Sequence, residues 1–337
     1  MSTVFAGPAA VTRLSAVTPV VGLTFEDADL SPLSLAHRDL SGATFLRCRF
    51  AGLTAAGLRL AASSCIECDF SEARLPQAIL DHATLHGCNL TRCDLSGASL
   101  IGTLLVELTW NATVLRGATV TAVGLDGLDL DQLDLREATL TGCSLIGARA
   151  SRLSLPRASL VRCSFQSARL DQADFTGADL SGSSFNLASV PGGRFDGAIL
   201  TGVKALRADL RGAGFTGATI SRAAFTEAKL AQARFTQAIG PQSQWQGCDA
   251  TGAAFVRADL RQSLWQHARV PQADFGGANL SDAHLHGVDT TGTRFDGTDF
   301  SGAKRDDPAL LAAERWRPRR SSEPPPAHPP VPPPVKG

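Results

Sequence analysis

The chain has 337 residues, 44% hydrophobic but only 6% aromatic, with no Tyr, one Met and 32 Gly, and its 32 basic residues balance 32 acidic ones. Zero formal charge excludes a general pull toward nucleic acid or anionic membrane, and no apolar run approaches the roughly 18 to 20 residues of a spanning helix. Residues 1–22 lack a basic segment followed by an apolar stretch and a small-residue cleavage site, so a soluble cytoplasmic protein is expected.

Those first 22 residues carry scattered apolar side chains without a clean period. They are read as an N-terminal cap, because the first rung of any stacked strand array leaves an edge that needs cover. From Phe25 to Phe300 every fifth residue then falls into one class: 49 of 56 positions are large and apolar, the exceptions being Ala55, Cys65, Ala150, Ala205, Gly240, Ala250 and Thr290. Two residues before each stands a small side chain, most often Ala, as at Ala28, Ala43, Ala173 and Ala278. Side chains alternate along a strand, so the large and the small residue of each unit share the inward face.

The remaining positions tell where the chain bends. Of the 29 Gly between residues 25 and 302, 24 lie two places after the large residue, and Pro76, Pro156, Pro191, Pro241 and Pro271 lie one place after it. Pro suits the first central position of a β-turn and Gly the second, so each unit is a short strand and a corner. Four corners close a square coil, and Phe175, Phe195, Phe215, Phe235, Phe255, Phe275 and Phe295 mark its period of twenty. Residues 23–302 span 280 positions, hence about fourteen coils, or a rod of roughly 65 Å at the usual strand spacing. Beyond Gly302 the pattern ends. Asp307 followed by Pro308 reads as a helix start, giving a capping helix over 303–316 with Leu310, Leu311 and Trp316 as a lid. Residues 317–337 are nearly half Pro and are expected to be a disordered, extended tail.

The units ADFTG (173–177), ADLSG (178–182), ANLSD (278–282) and CDLSG (93–97) carry a resemblance to the pentapeptide repeat family, which covers about 280 of the 337 residues. The resemblance implies an all-β fold, a right-handed quadrilateral parallel β-helix. Within that frame Cys48, Cys68, Cys88, Cys93, Cys143, Cys163 and Cys248 take the small inward place and Cys65 the large one, so buried thiols in a reducing compartment are expected. His267, His284 and His286 gather on one side, but no carboxylate is evidently placed to complete a metal shell, so no metal is expected. Glycines spaced by five form no phosphate loop, and a filled rod has no cleft for a catalytic triad. No catalytic residue, cofactor or enzyme activity is therefore expected.

Function then rests on the outer surface. One side carries Leu46, Ile66, Val106 and Ile146 just after the large residue and Leu104 just before it, and the place before it holds no Asp or Glu in any coil. An exposed apolar strip marks a contact site, so these five residues are the candidate partner-binding set, for a protein partner or a second copy in a homodimer. The reading is a non-enzymatic scaffold for protein–protein interaction. The resemblance adds two alternatives: a DNA-mimicking, gyrase-binding rod, and an accessory or effector of a bacterial secretion system. The first fits poorly, since residues 25–302 carry 28 acidic and 24 basic residues while duplex DNA bears a charge about every 1.7 Å.

Overall fold

The computed structural model describes residues 3–16, 19–151 and 153–315; the Pro-rich segment 317–337 and Trp316 lie outside them. In chain order the strands are β1 (Val4–Ala6), β2 (Thr24–Glu26), β3 (Thr44–Leu46), β4 (Ser64–Ile66), β5 (Thr84–His86), β6 (Ser99–Ile101), β7 (Leu104–Val106), β8 (Thr113–Val114), β9 (Thr119–Thr121), β10 (Leu133–Asp134), β11 (Thr139–Thr141), β12 (Arg149–Ser151) and β13 (Arg169–Asp171). Every pairing is parallel and offset by twenty residues, from Val4↔Thr24 to His284↔Lys304. The chain is an all-β right-handed quadrilateral solenoid, as the spacing and the resemblance imply.

The register begins earlier than the repeat does. β1 pairs with β2 and places Phe5 over Phe25, ring centroids 5.9 Å apart. Helix α1 (Gly7–Ala16) follows and buries Ala10 and Leu14 against this end. At the other end α2 (Pro308–Arg315) starts on Asp307, whose carboxylate accepts from the amides of Ala309 and Leu310, the N-cap arrangement that serves otherwise unpaired donors. Leu310 stays exposed and Leu311 is half-buried.

Inside, large residues stack column on column. Phe195, Phe215 and Phe235 lie at 4.8 and 4.5 Å with planes within 4° of parallel, and Phe225, Trp245 and Trp265 form the neighbouring column at 4.5 and 4.8 Å. Each buried ring contributes about 1.5–3 kcal/mol of transfer free energy. The indole N–H of Trp245 donates to Ser243 Oγ at 2.7 Å and that of Trp265 to Ser263 Oγ at 2.7 Å, so the small inward place also satisfies the polar atom its large neighbour brings inside. The cysteines are buried free thiols. Cys48 and Cys68 donate to the carbonyls of Phe25 and Phe45 at 3.4 Å.

Corners impose their own geometry. The second central turn residue has positive φ at nearly every corner, Pro32 and Gln132 being exceptions, and 29 non-glycine residues hold φ between 50° and 62° there. That region costs an L-residue roughly 1–2 kcal/mol, so the stacked ladder, not local preference, fixes these corners.

Candidate interaction surface

The ladder is not continuous. Among the described residues, the pairings that would join Ser34 to Thr54, Leu104 to Gly124, Thr109 to Asp129 and Asp134 to Ser154 are not made, and the rung from Thr139 to Ser159 keeps only the bond from the Leu140 amide to the Ser159 carbonyl at 2.8 Å, while the next bridges along those columns are made. Three of the five interruptions share a cause. Leu33 and Leu53, Leu108 and Leu128, and Leu133 and Leu153 each put two leucines on successive coils at the small inward place. Elsewhere that place holds Ala, Cys, Ser, Thr or Gly, a larger apolar residue with no leucine on the next coil such as Leu58, Val123 or Val203, or Arg38, which precedes Leu58 by one coil with the Asp39–Arg59 bridge intact. Two stacked leucines overfill a corner sized for two alanines, and overpacking is relieved by displacing backbone.

The consequence is greatest at Leu108 and Leu128, where two adjacent sides part. The six-stranded sheet β1-β2-β3-β4-β5-β7 ends at β7, in the middle of the rod, while β6, β9 and β11 hold the two halves together on another side. Between the parted coils lies a cleft of about 290 Å³ lined by Leu105, Leu108, Trp110, Leu125 and Leu128, with Glu107 and Asp126 at its rim. Leu105, Leu108, Trp110 and Leu128 are only partly buried, although Leu105 and Trp110 occupy large inward places. A second opening of about 420 Å³ includes Leu133, Leu135 and Leu153 and the short helical turn Leu130–Gln132.

Of the five residues expected at a contact site, Leu104 and Val106 fall on β7 itself, and Leu104 is 56% exposed. Leu46 and Ile66 pair directly and are half-buried, but His86 stands between Ile66 and Val106 in the same column. Ile146 is exposed on the far side of the parting, with its amide donating to Asp126 at 2.8 Å. The strip is thus two pairs and a lone residue rather than one band. Sequence reasoning missed Leu105, Leu108, Trp110 and Leu128; the signal was leucine at the small place.

Some of the surface charges pair between coils. Arg49 meets Asp29 at 3.1 Å, Arg194 meets Asp174 at 3.1 Å, and Arg207 meets Glu227 at 2.6 Å. Among the described residues no helix is long and apolar enough to cross a membrane.

Comparison with known proteins bears on the same region. Family models described as "Pentapeptide repeats (8 copies)" match residues 68–105, 143–182, 158–195 and 194–232, and one described as "Pentapeptide repeat region" matches 218–295. The matches stop at residue 105 and resume at 143, and residues before 68 and after 295 also lie outside them. Among solved structures, HetL, a pentapeptide repeat protein involved in heterocyst differentiation regulation from the cyanobacterium Nostoc sp. strain PCC 7120, is similar at 23% identity over 68% of this chain and 88% of its own, with a TM-score of 0.42. QnrB1, a plasmid-mediated fluoroquinolone resistance protein, is similar at 18% identity over 84% and 97%, with a TM-score of 0.24. Rfr23 from the cyanobacterium Cyanothece 51142 is similar at 17% identity over 50% and 88%, with a TM-score of 0.17. No curated protein sequence matches the chain.

Proposed function

The chain belongs to the pentapeptide repeat family, and from that premise we propose that it is a non-enzymatic scaffold whose rod binds a protein partner at the parted coils. The observation behind this reading is the edge strand β7, whose pairing stops in mid-rod beside a cleft with an apolar floor. An unpaired strand edge is a template for another strand, and an extended peptide added there gains main-chain hydrogen bonds while alternate side chains enter adjoining pockets. Leu105, Leu108 and Trp110 suit apolar side chains of such a segment, and the carboxylates of Glu107 and Asp126 favour a basic residue within it.

The DNA-mimicking alternative asks for an unbroken acidic surface, whereas Arg49, Arg59 and Arg269 pair with Asp29, Asp39 and Asp249 along its columns. Affinity capture with the full chain tests the proposal, comparing wild type, Leu104→Asp and Ile239→Asp, the last an exposed residue on a different side. A partner retained by Ile239→Asp and lost with Leu104→Asp supports it; equal capture by all three removes it. Light scattering after gel filtration separates a second copy from a foreign partner, and inhibition in a gyrase supercoiling assay would revive the alternative.

A further inference from the structure

We propose a divalent metal site at the C-terminal corner, formed by His267, His286 and Glu314, that clasps helix α2 to the last coils. The two histidines come from successive coils and the carboxylate from α2, and their ligand atoms all lie within 4.8 Å of one another. Glu314 reaches both rings: Oε1 stands 3.4 Å from His267 Nε2, and Oε2 stands 3.4 Å from His286 Nε2. Nitrogen and oxygen ligands around a tetrahedral zinc ion lie at about 2.0–2.1 Å from it and hence about 3.3 Å from each other. Each of the two nitrogen–oxygen separations is near that spacing, and the three ligand atoms lie within 4.8 Å of one another, so a small shift of Glu314 closes the shell on an ion.

The surroundings prepare the pocket. His267 sits at a corner with φ 60°, and a Cβ on Gly287, one coil on, would come within 2.5 Å of its Nδ1, so that glycine leaves room for the ring. The two rings are nearly perpendicular, at 81° with centroids 5.6 Å apart, and both Nε2 atoms face the Glu314 carboxylate. The Nε2 of His286 is enclosed, and it makes no hydrogen bond. Its Nδ1 accepts from the Asp307 amide at 3.2 Å and lies 3.9 Å from Asp306 Oδ1. When an ion takes the Nε2 lone pair, the ring proton resides on Nδ1, which then donates to Asp306 in place of accepting from that amide; this is the outer carboxylate that metal-bound histidines ordinarily find. With three protein ligands, two imidazoles and a carboxylate, the site suits Zn²⁺ or a similar borderline ion such as Co²⁺, not Ca²⁺ or Mg²⁺.

The clasp lies beside the end of the core. There Trp265, Phe275, Phe295 and Phe300 line an opening of about 320 Å³. Metal binding would therefore set how firmly α2 is held next to this apolar end.

The test uses the full chain, reduced with a phosphine and stripped by chelator, titrated calorimetrically with ZnCl₂. One ion bound per chain is expected, with affinity falling at least about tenfold in His267→Ala and in Glu314→Gln and unchanged in His284→Ala. Both affected side chains are exposed, so the variants fold, which circular dichroism confirms. Zinc should also slow tryptic cleavage after Lys304 and Arg305 in the wild type but not in Glu314→Gln. Absence of binding by the wild type overturns the proposal, as does equal affinity in His267→Ala/His286→Ala. So does a helix equally resistant to trypsin with and without zinc, the result if the histidines and Glu314 pair without a metal.

Discussion

If stacked leucines part the rod, removing them should close it at little net cost. The perturbation is Leu108→Ala/Leu128→Ala, and Leu58→Ala is its control, since Leu58 occupies the same class of inward place, is 0% exposed and lies between intact bridges to residues 39 and 79. A buried Leu→Ala change costs about 2–5 kcal/mol, and the control should fall in that range. Leu108 and Leu128 are partly exposed, so each loses transfer free energy near the lower limit, about 2 kcal/mol. Against this, closing the rungs at Leu104–Gly124 and Thr109–Asp129 restores about four backbone hydrogen bonds at roughly 1 kcal/mol each. The gain and loss cancel, so the double variant should lie within about 1 kcal/mol of wild type by guanidinium denaturation. Its segment between residues 104 and 129 should also resist proteolysis better than the wild type's. A loss of about 4 kcal/mol or more, the full cost of two such truncations, with cleavage in that segment unchanged, would refute overpacking as the cause.

Other parts of the rod make equally definite predictions. Ser243→Ala leaves the Trp245 indole N–H without its 2.7 Å acceptor in a buried place and should cost about 1–3 kcal/mol by denaturation, whereas Ser281→Ala at the partly exposed corner should cost little. Leu187→Gly relieves a corner residue with φ 60° and 54% exposure and should stabilise by up to about 1 kcal/mol after the entropy of the added glycine; a loss would show that Leu187 packs usefully. Hydrogen bonds from Arg211 hold the Asp209 carboxyl below its usual range, and Arg136 does the same for Asp134. A depressed folded pKa gives stability that is present above the unfolded value near 4 and lost as pH falls through the lower folded value. The denaturation midpoint should therefore drop below about pH 4, and Asp209→Asn should flatten that fall. Burial pushes the Cys93 thiol up to about 12, so a thiol reagent at about pH 8 should label it only in denaturant.

The fold was legible because one inward pattern repeats with a period that strand and corner geometry both demand. Phe175 to Phe295 announce the coil, and the structure stacks them as the spacing requires. β1 was not legible, since Phe5 is a single rung with no second repeat beside it and α1 interrupts the period. The contact strip was half legible. Reading outward places found Leu104 and Val106, but the feature that gives them meaning lies in the inward places, where Leu108 and Leu128 satisfy an apolar pattern while violating its size. The carboxylate beside His267 and His286 was not legible either, because Glu314 reaches that corner from a helix outside the repeat.

Amide hydrogen exchange on the unmodified full chain tests the central claim most directly. The account predicts that Leu105, Trp110, Gly124 and Asp129 exchange rapidly in the middle of the rod, while the equivalent amides of Leu90, Asn89, Ser144 and Arg149, which are bonded to neighbouring coils at 2.8–3.0 Å, stay protected on either side. Uniform protection from residue 85 through residue 150 would contradict it, and with it the proposed docking edge.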